Sequence, residues 1–224
     1  MKRIIRQIFL VWRRGRGSRR IKVGRILRNQ TEGVRFMYIQ EGVKEALGQG
    51  FGMYPDFPDP DSDIIYRENV LGIFSQRLTN NERSDIQKYY DYWEIDPSLK
   101  DNKYYVLAQT QGLLPSDTFE FIAEYYPVRD LNFTSEICGL TERHLEAGTI
   151  REGDVLRWEL ESKNPYDKYA VKLYKGNKEL GYVKAIHCNV FHKSKYKRFE
   201  VKVKSIEQNS HISRVFISVK TINQ

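Results

Sequence analysis

The sequence predicts an α+β fold: a β-rich N-terminal module with several helices, then a small antiparallel β-barrel with short helices. Three observations predict it. Residues 199–206 and 214–222 alternate apolar and polar side chains and read as a closing antiparallel pair. Residues 136–140, 155–161, 170–174 and 180–183 add short strand-like runs, and five or six such strands suit a small barrel. Upstream, strand-like residues 4–12, 21–27 and 33–39 precede stretches of helical spacing at 41–47, 68–74 and 81–93. The turn-rich segment 127–132 separates the two parts, giving expected domains of 1–127 and 128–224.

Composition narrows the function classes. The chain has 224 residues with 40% hydrophobic and 29% charged, which is globular and not disordered. The net charge is +8, unevenly spread. Residues 1–49 carry 13 Lys/Arg against 3 Asp/Glu, residues 50–130 carry 7 against 15, and residues 131–224 carry 17 against 11. Basic ends of this kind suit an anionic partner such as nucleic acid, or a well-solvated surface. The 15 Tyr and 11 Phe can build a core or provide stacking faces for bases. Two cysteines, Cys138 and Cys188, form no CxxC, which fits a reducing cytosol. No run approaches the ~18 apolar residues of a membrane helix, so a soluble, cytoplasmic protein without a membrane partner is expected.

In the N-terminal part, residues 4–12 and 21–27 read as a long hairpin whose tip is Arg13-Arg14-Gly15-Arg16-Gly17-Ser18-Arg19-Arg20. Arg13, Arg14 and Arg16 are candidate phosphate contacts; the alternative is a solvated loop. Gly15-x-Gly17 lacks the third glycine of a dinucleotide loop. Asp59-x-Asp61-x-Asp63 has Ile64 where a calcium loop needs Gly, and reads as a solvated loop. Asn80 or Asn81 is a candidate cap for the helix that ends near Trp93, with Ile86, Tyr89, Tyr90 and Trp93 along one face. Residues 104–109 read as a buried strand, and 116–125 as a helix capped at Ser116 or Asp117. Several pieces resemble the N-terminal subdomain of HipA-like toxin kinases: Val23-Gly24-Arg25-Ile26, Val34-Arg35-Phe36-x-Tyr38, Tyr54-Pro55, Phe74-x-x-x-Leu78 with Arg83, and Tyr105-Val106-Leu107-Ala108-x-x-Gln111-Gly112. The resemblance implies a small β-rich module able to dock such a kinase. Arg77-Leu78-Thr79-Asn80 stands where that family has Leu-Leu-Pro-Asp/Glu, and the kinase core is absent, so no kinase activity carries over.

The C-terminal part centres on residues 162–184. Asn164-Pro165-Tyr166-Asp167 is a turn, since Pro165 fixes its own φ and pushes Asn164 away from helix, while Asn and Asp brace such turns. A strand follows, then Gly176-Asn177 as a hairpin turn and Leu180-Gly181-Tyr182-Val183 as the return strand. Asn-Pro-Tyr-Asp-Lys-x-Ala-Val, then Gly-Asn-x-x-Leu-Gly-Tyr-Val, resembles the core of a HIRAN domain over about residues 131–224. That resemblance implies a small OB-like barrel that binds DNA, in some members the 3′ end of a single strand. It carries a DNA-contacting role to Asn164, Tyr166 and Asp167, with Lys168, Tyr182 and Lys184 beside them. By residue type, Tyr166 can stack on a base and Asn164 can donate and accept, whereas Asp167 suits a sugar hydroxyl, a base edge or a brace for the turn. Lys193, Lys195, Lys197 and Arg198 are candidate phosphate contacts. Helicase-type members have Arg-Tyr after the glycine of the first strand; here Gly139 is followed by Leu140-Thr141. General single-strand binding stays open, and recognition of a free 3′ hydroxyl is not carried over.

No catalytic constellation emerges. There is no HExxH or GxSxG, and Cys188 beside His187 and His192 lacks metal-ligand spacing. Glu200-x-Lys202 with Asp167 faintly resembles a metal-dependent nuclease signature. The expectation is a non-enzymatic protein without a cofactor that engages single-stranded DNA or DNA ends. The alternatives are a regulator, antitoxin-like, docking a HipA-like kinase through residues 1–127, and a metal-dependent nuclease.

Overall fold

The strands form a four-stranded sheet and a closed barrel, some with alternating burial (Phe199–Val203) and some buried on both faces (Phe133–Ile137). The computed structural model describes residues 4–15, 17–61, 63–193 and 198–222. The chain divides into two units: residues 5–124, and residues 125–224 together with residues 1–4.

In the first unit, β1 (Ile5–Trp12), β2 (Ile21–Asn29), β3 (Gly33–Tyr38) and β4 (Phe119–Tyr125) form a sheet in the order β3-β2-β1-β4. Helix α1 (Gln40–Leu47) lies on β2, so close that a Cβ on Gly42 would stand 1.8 Å from the Lys22 carbonyl oxygen. Helices α2 (Val70–Ser75), α3 (Ile86–Trp93) and α4 (Lys103–Thr110) complete the unit. Its core is an aromatic cluster around Phe36, whose ring centroid lies 4.8 Å from Tyr38, 4.9 Å from Phe57 and 5.4 Å from Phe74. Two of these pairs, with Tyr38 and Phe74, are edge to face, and such packing adds to the free energy of burying the rings.

Two elements differ from the sequence reading. Residues 104–109 belong to α4, not to a strand. Every residue from Tyr104 to Thr110 is buried, so no amphipathic period marks the helix, and its start is set by Asn102, whose Oδ1 accepts from the Tyr105 N–H at 3.2 Å. Residues 119–125 form β4, not a helix. Asp117 does not cap: its carboxylate takes both guanidinium N–H groups of buried Arg77, at 2.6 and 2.8 Å, and the Phe119 N–H at 3.0 Å, fixing the entry to the strand. Asn80 does not cap α3 either: its Oδ1 accepts from the Glu82 N–H in a local turn, and α3 begins later, at Ile86.

In the second unit, β5 (Asn132–Cys138), β6 (Val155–Leu160), β7 (Val171–Lys175), β8 (Lys178–Val183), β9 (Phe199–Gln208) and β10 (Ile212–Thr221) close an antiparallel barrel in the order β10-β5-β8-β7-β6-β9. The first strand starts earlier than expected, and Leu140 opens a short helix α5 (Leu140–Arg143) after Gly139, whose φ of 81° ends the strand. Helix α6 (Ala185–Lys193) follows β8. Val171, Leu173, Leu180, Val201, Val203, Val215, Ile217 and Val219 fill the core.

Gly42 gives a test of the packing. In a helix, Gly→Ala ordinarily stabilises by about 0.5–1 kcal/mol. At Gly42 the added methyl meets backbone, so Gly42→Ala should instead destabilise the protein by about 1–3 kcal/mol in urea unfolding. Gly48→Ala, 3.7 Å from its nearest neighbour, should leave stability within about 0.5 kcal/mol.

Candidate nucleic-acid interface

The loop joining β6 to β7 is closed at its base by the Glu161 N–H donating to the Ala170 carbonyl at 2.9 Å. Inside it, Asn164 Oδ1 accepts from the N–H groups of Tyr166 (2.9 Å) and Asp167 (3.0 Å), and Asp167 Oδ1 accepts from the Tyr169 N–H at 2.8 Å. These Asx turns fold the loop locally. They leave the Tyr166 side chain 96% exposed at the tip. Asn164 and Asp167 are therefore braces for the turn, with Asn164 Nδ2 donating to Glu161 Oε2 at 2.7 Å.

Glu161 anchors the loop to the barrel. Its carboxylate also accepts from the Tyr182 hydroxyl at 3.0 Å and pairs with Lys172 Nζ at 2.6 Å. These donors, Asn164 first and then Lys172, hold its pKa down at about 2, against an ordinary 4.5. Lys172 is pushed above its ordinary range by the same bond. Tyr182 is half-buried, with Lys172 Nζ 5.6 Å and the Arg143 guanidinium 5.3 Å from its ring centroid. Arg143 reaches this place because α5 turns it back to donate to the Gly139 carbonyl at 3.2 Å while it pairs with Glu179. The C-terminal turn of α6 meets the far side of the loop, where His192 Nε2 lies 3.1 Å from the Tyr169 carbonyl and the two rings meet edge to face at 5.3 Å. Lys168 stands over the Tyr169 ring at 5.1 Å, and Lys193 and Arg198 are exposed.

The structure brings Asn164, Tyr166, Asp167, Lys168 and Tyr182 together. It removes Lys184 from the surface: the side chain is 1% exposed, with Nζ 3.4 Å from Glu136, which also takes Arg214 at 3.3 Å. Lys184 follows Tyr182 by two residues, but β8 ends at Val183 and Lys184 sits at the turn into α6, so the strand alternation that would have exposed it no longer holds. Arg13 is likewise withdrawn, its guanidinium 3.1 Å from buried Glu120, which Arg20 joins at 2.9 Å. Arg14 is exposed. Arg16, Lys195 and Lys197 lie outside the described residues. Sequence reasoning missed Glu161, Lys172, Arg143 and Tyr169. The outward parity of Lys172 on its strand was a usable signal; the meeting of Glu161 with Tyr182 needs the third strand in place.

Among the described residues no group of three His, Cys, Asp or Glu side chains is placed to bind a metal. The Cys188 thiol is buried, donates to backbone carbonyls and is pushed up to about 12 by that burial, the opposite of a ligand thiolate. Asp59 and Asp61 accept from the backbone N–H groups of Asp61 and Asp63. Among the described residues no helix is long and apolar enough to cross a membrane.

No family model matches the chain. No curated protein matches it. Among solved structures it is similar to the crystal structure of the HIRAN domain of human HLTF, at 18% identity and a TM-score of 0.32, covering 40% of this chain and 75% of that one. The closed six-stranded barrel has the architecture that the HIRAN resemblance implies. The HipA-like resemblance of residues 1–127 gains no support from these comparisons.

The Glu161 network gives a pH test. Folding lowers this pKa, so its stabilising contribution is fully present above about pH 4.5 and is lost as pH falls towards 2. In a carbon-detected NMR titration the Glu161 carboxyl should remain ionised at about pH 3.5, where an ordinary glutamate is mostly protonated. A midpoint at the ordinary value would contradict the network.

Proposed function

We propose that the barrel unit binds single-stranded DNA, or the single-stranded ends of DNA, with the loop after β6 as its contact, and that the protein acts by binding and not by catalysis. The observation that carries this reading is the Tyr166 ring. A large aromatic side chain almost fully in water, at the tip of a loop braced by five side-chain hydrogen bonds, presents a preformed stacking face to a partner. A nucleobase suits it, because every base presents a π-face and stacking is worth about 1–3 kcal/mol per base by alanine substitution. The Asn-Pro-Tyr-Asp-Lys motif supports the same reading through its resemblance to HIRAN domains. Exposed Lys168, Lys193 and Arg198 can neutralise the phosphates that come with the bases. The braced turn costs little ordering entropy on binding, since its backbone is already fixed.

The test is a titration of labelled single-stranded oligonucleotides. Tyr166→Ala should weaken binding roughly 5- to 150-fold, following from about 1–3 kcal/mol at 1.4 kcal/mol per decade. Tyr166→Phe should retain nearly all affinity, because the face and not the hydroxyl stacks. Melting temperatures of both variants should match the parent, the ring having no packing role at its exposure. Log affinity should fall with log salt at about −0.7 per phosphate held. Affinity unmoved by Tyr166→Ala would overturn the assignment of the loop.

A further inference from the structure

The outer face of β6, β7 and β8 continues from the loop without a break. Glu161 joins Asn164 of the loop to Tyr182 of β8. Lys172 of β7 pairs across the strands with Tyr182, and its Nζ stands over that ring at 5.6 Å. Two residues further along β7, on the same face, comes Tyr174, about 7 Å from Lys172. Opposite Tyr174 on β6 is Arg157, whose guanidinium lies 4.1 Å from the Tyr174 ring centroid. Tyr182 and Tyr174 are thus diagonal neighbours across the β7–β8 pair, both half-exposed and each flanked by a cation.

The charges on this face cancel. Arg157 pairs with Glu159, Lys172 with Glu161 and Glu179, and Arg143 with Glu179. A face so balanced offers little to a phosphate. What it does offer is a row of rings and guanidinium planes, and bases stack on both. Exposed Lys168 lies in the loop itself, exposed Lys193 ends α6 and exposed Arg198 immediately precedes β9.

Building on the binding site assigned above to the Tyr166 loop, we propose that a bound single strand runs from that loop along the outer face of β6–β7–β8, with Tyr174 and the Arg157 plane over it as a second stacking platform. The rows of side chains then divide the work. The lysines and Arg198 hold phosphates, and the β-face holds bases. Affinity gained through this face is accordingly insensitive to salt.

Anisotropy titrations of the full chain with oligodeoxythymidines of about three and about ten residues test this, the longer length lying within the site sizes usual for single-strand-binding barrels. In the parent protein the longer oligonucleotide should bind more tightly. Tyr174→Ala should weaken the longer one roughly 5- to 150-fold, leave the shorter one unchanged and leave the salt slope unchanged. Tyr174→Leu, which keeps apolar volume on the face and removes the ring, should do the same, so that a folding defect in one variant does not mask the result. Longer-oligonucleotide affinity that neither variant alters overturns the platform while the Tyr166 loop stands. Equal loss at both lengths, or a reduced salt slope, overturns it as well, by showing that Tyr174 supports the loop or the phosphate contacts. A parent protein that binds neither length overturns the platform and the loop together.

Discussion

The Glu161 carboxylate is the constraint on which the candidate site depends. It receives an amide from the loop, an ammonium from β7 and a phenol from β8. Each donor comes from a different segment, so their convergence fixes the loop against the barrel in more than one direction. Hydrogen bonds to an ionised acceptor are stronger than neutral ones. The lowered pKa of Glu161 is the electrostatic record of that convergence. Without it, the Asx turns at Asn164 and Asp167 would still fold the loop locally, but nothing in them sets where Tyr166 points relative to Tyr182.

The same chemistry, used in burial, explains why net charge is a poor guide to the interface. Glu120 gathers Arg13 and Arg20 in the first unit, and Glu136 gathers Lys184 and Arg214 in the second. Buried pairs of this kind contribute little net stability, yet removing one partner strands the other in a poorly solvated place. Cations committed in this way are not available to phosphate. Among its described arginines, the basic hairpin tip therefore divides into Arg13 and Arg20, turned inward, and Arg14 and Arg19, which face solvent, Arg19 pairing with Glu45 at 3.2 Å.

Much of the barrel was legible in the sequence, because strands with one face buried must alternate, and residues 171–174 and 199–203 do so, whereas 214–222 read as a strand although residues 215–219 are buried on both faces. The turn at Asn164 and the hairpin at Gly176 were legible from residue chemistry alone. Residues 104–110 were not: a helix buried all round has no periodicity, and its aromatic, β-branched content imitates a strand. Residues 119–125 were not either, since Asp117 resembles a helix cap until Arg77, 40 positions earlier, claims its carboxylate. In the site, Tyr166 could be picked out from its motif, whereas Lys184 could be removed only once its partner Glu136, on a different strand, was in place. Long-range ion pairs leave no local trace, and they decide which charged residues reach the surface.

The account stands or falls on where a single strand touches the protein. Photocrosslinking of the full chain to an iododeoxyuridine-substituted oligonucleotide, followed by peptide mass spectrometry, reads this directly. The account predicts adducts on residues 162–169, with Tyr166 foremost. Adducts confined to residues 5–124, under conditions where the oligonucleotide is bound, would contradict it.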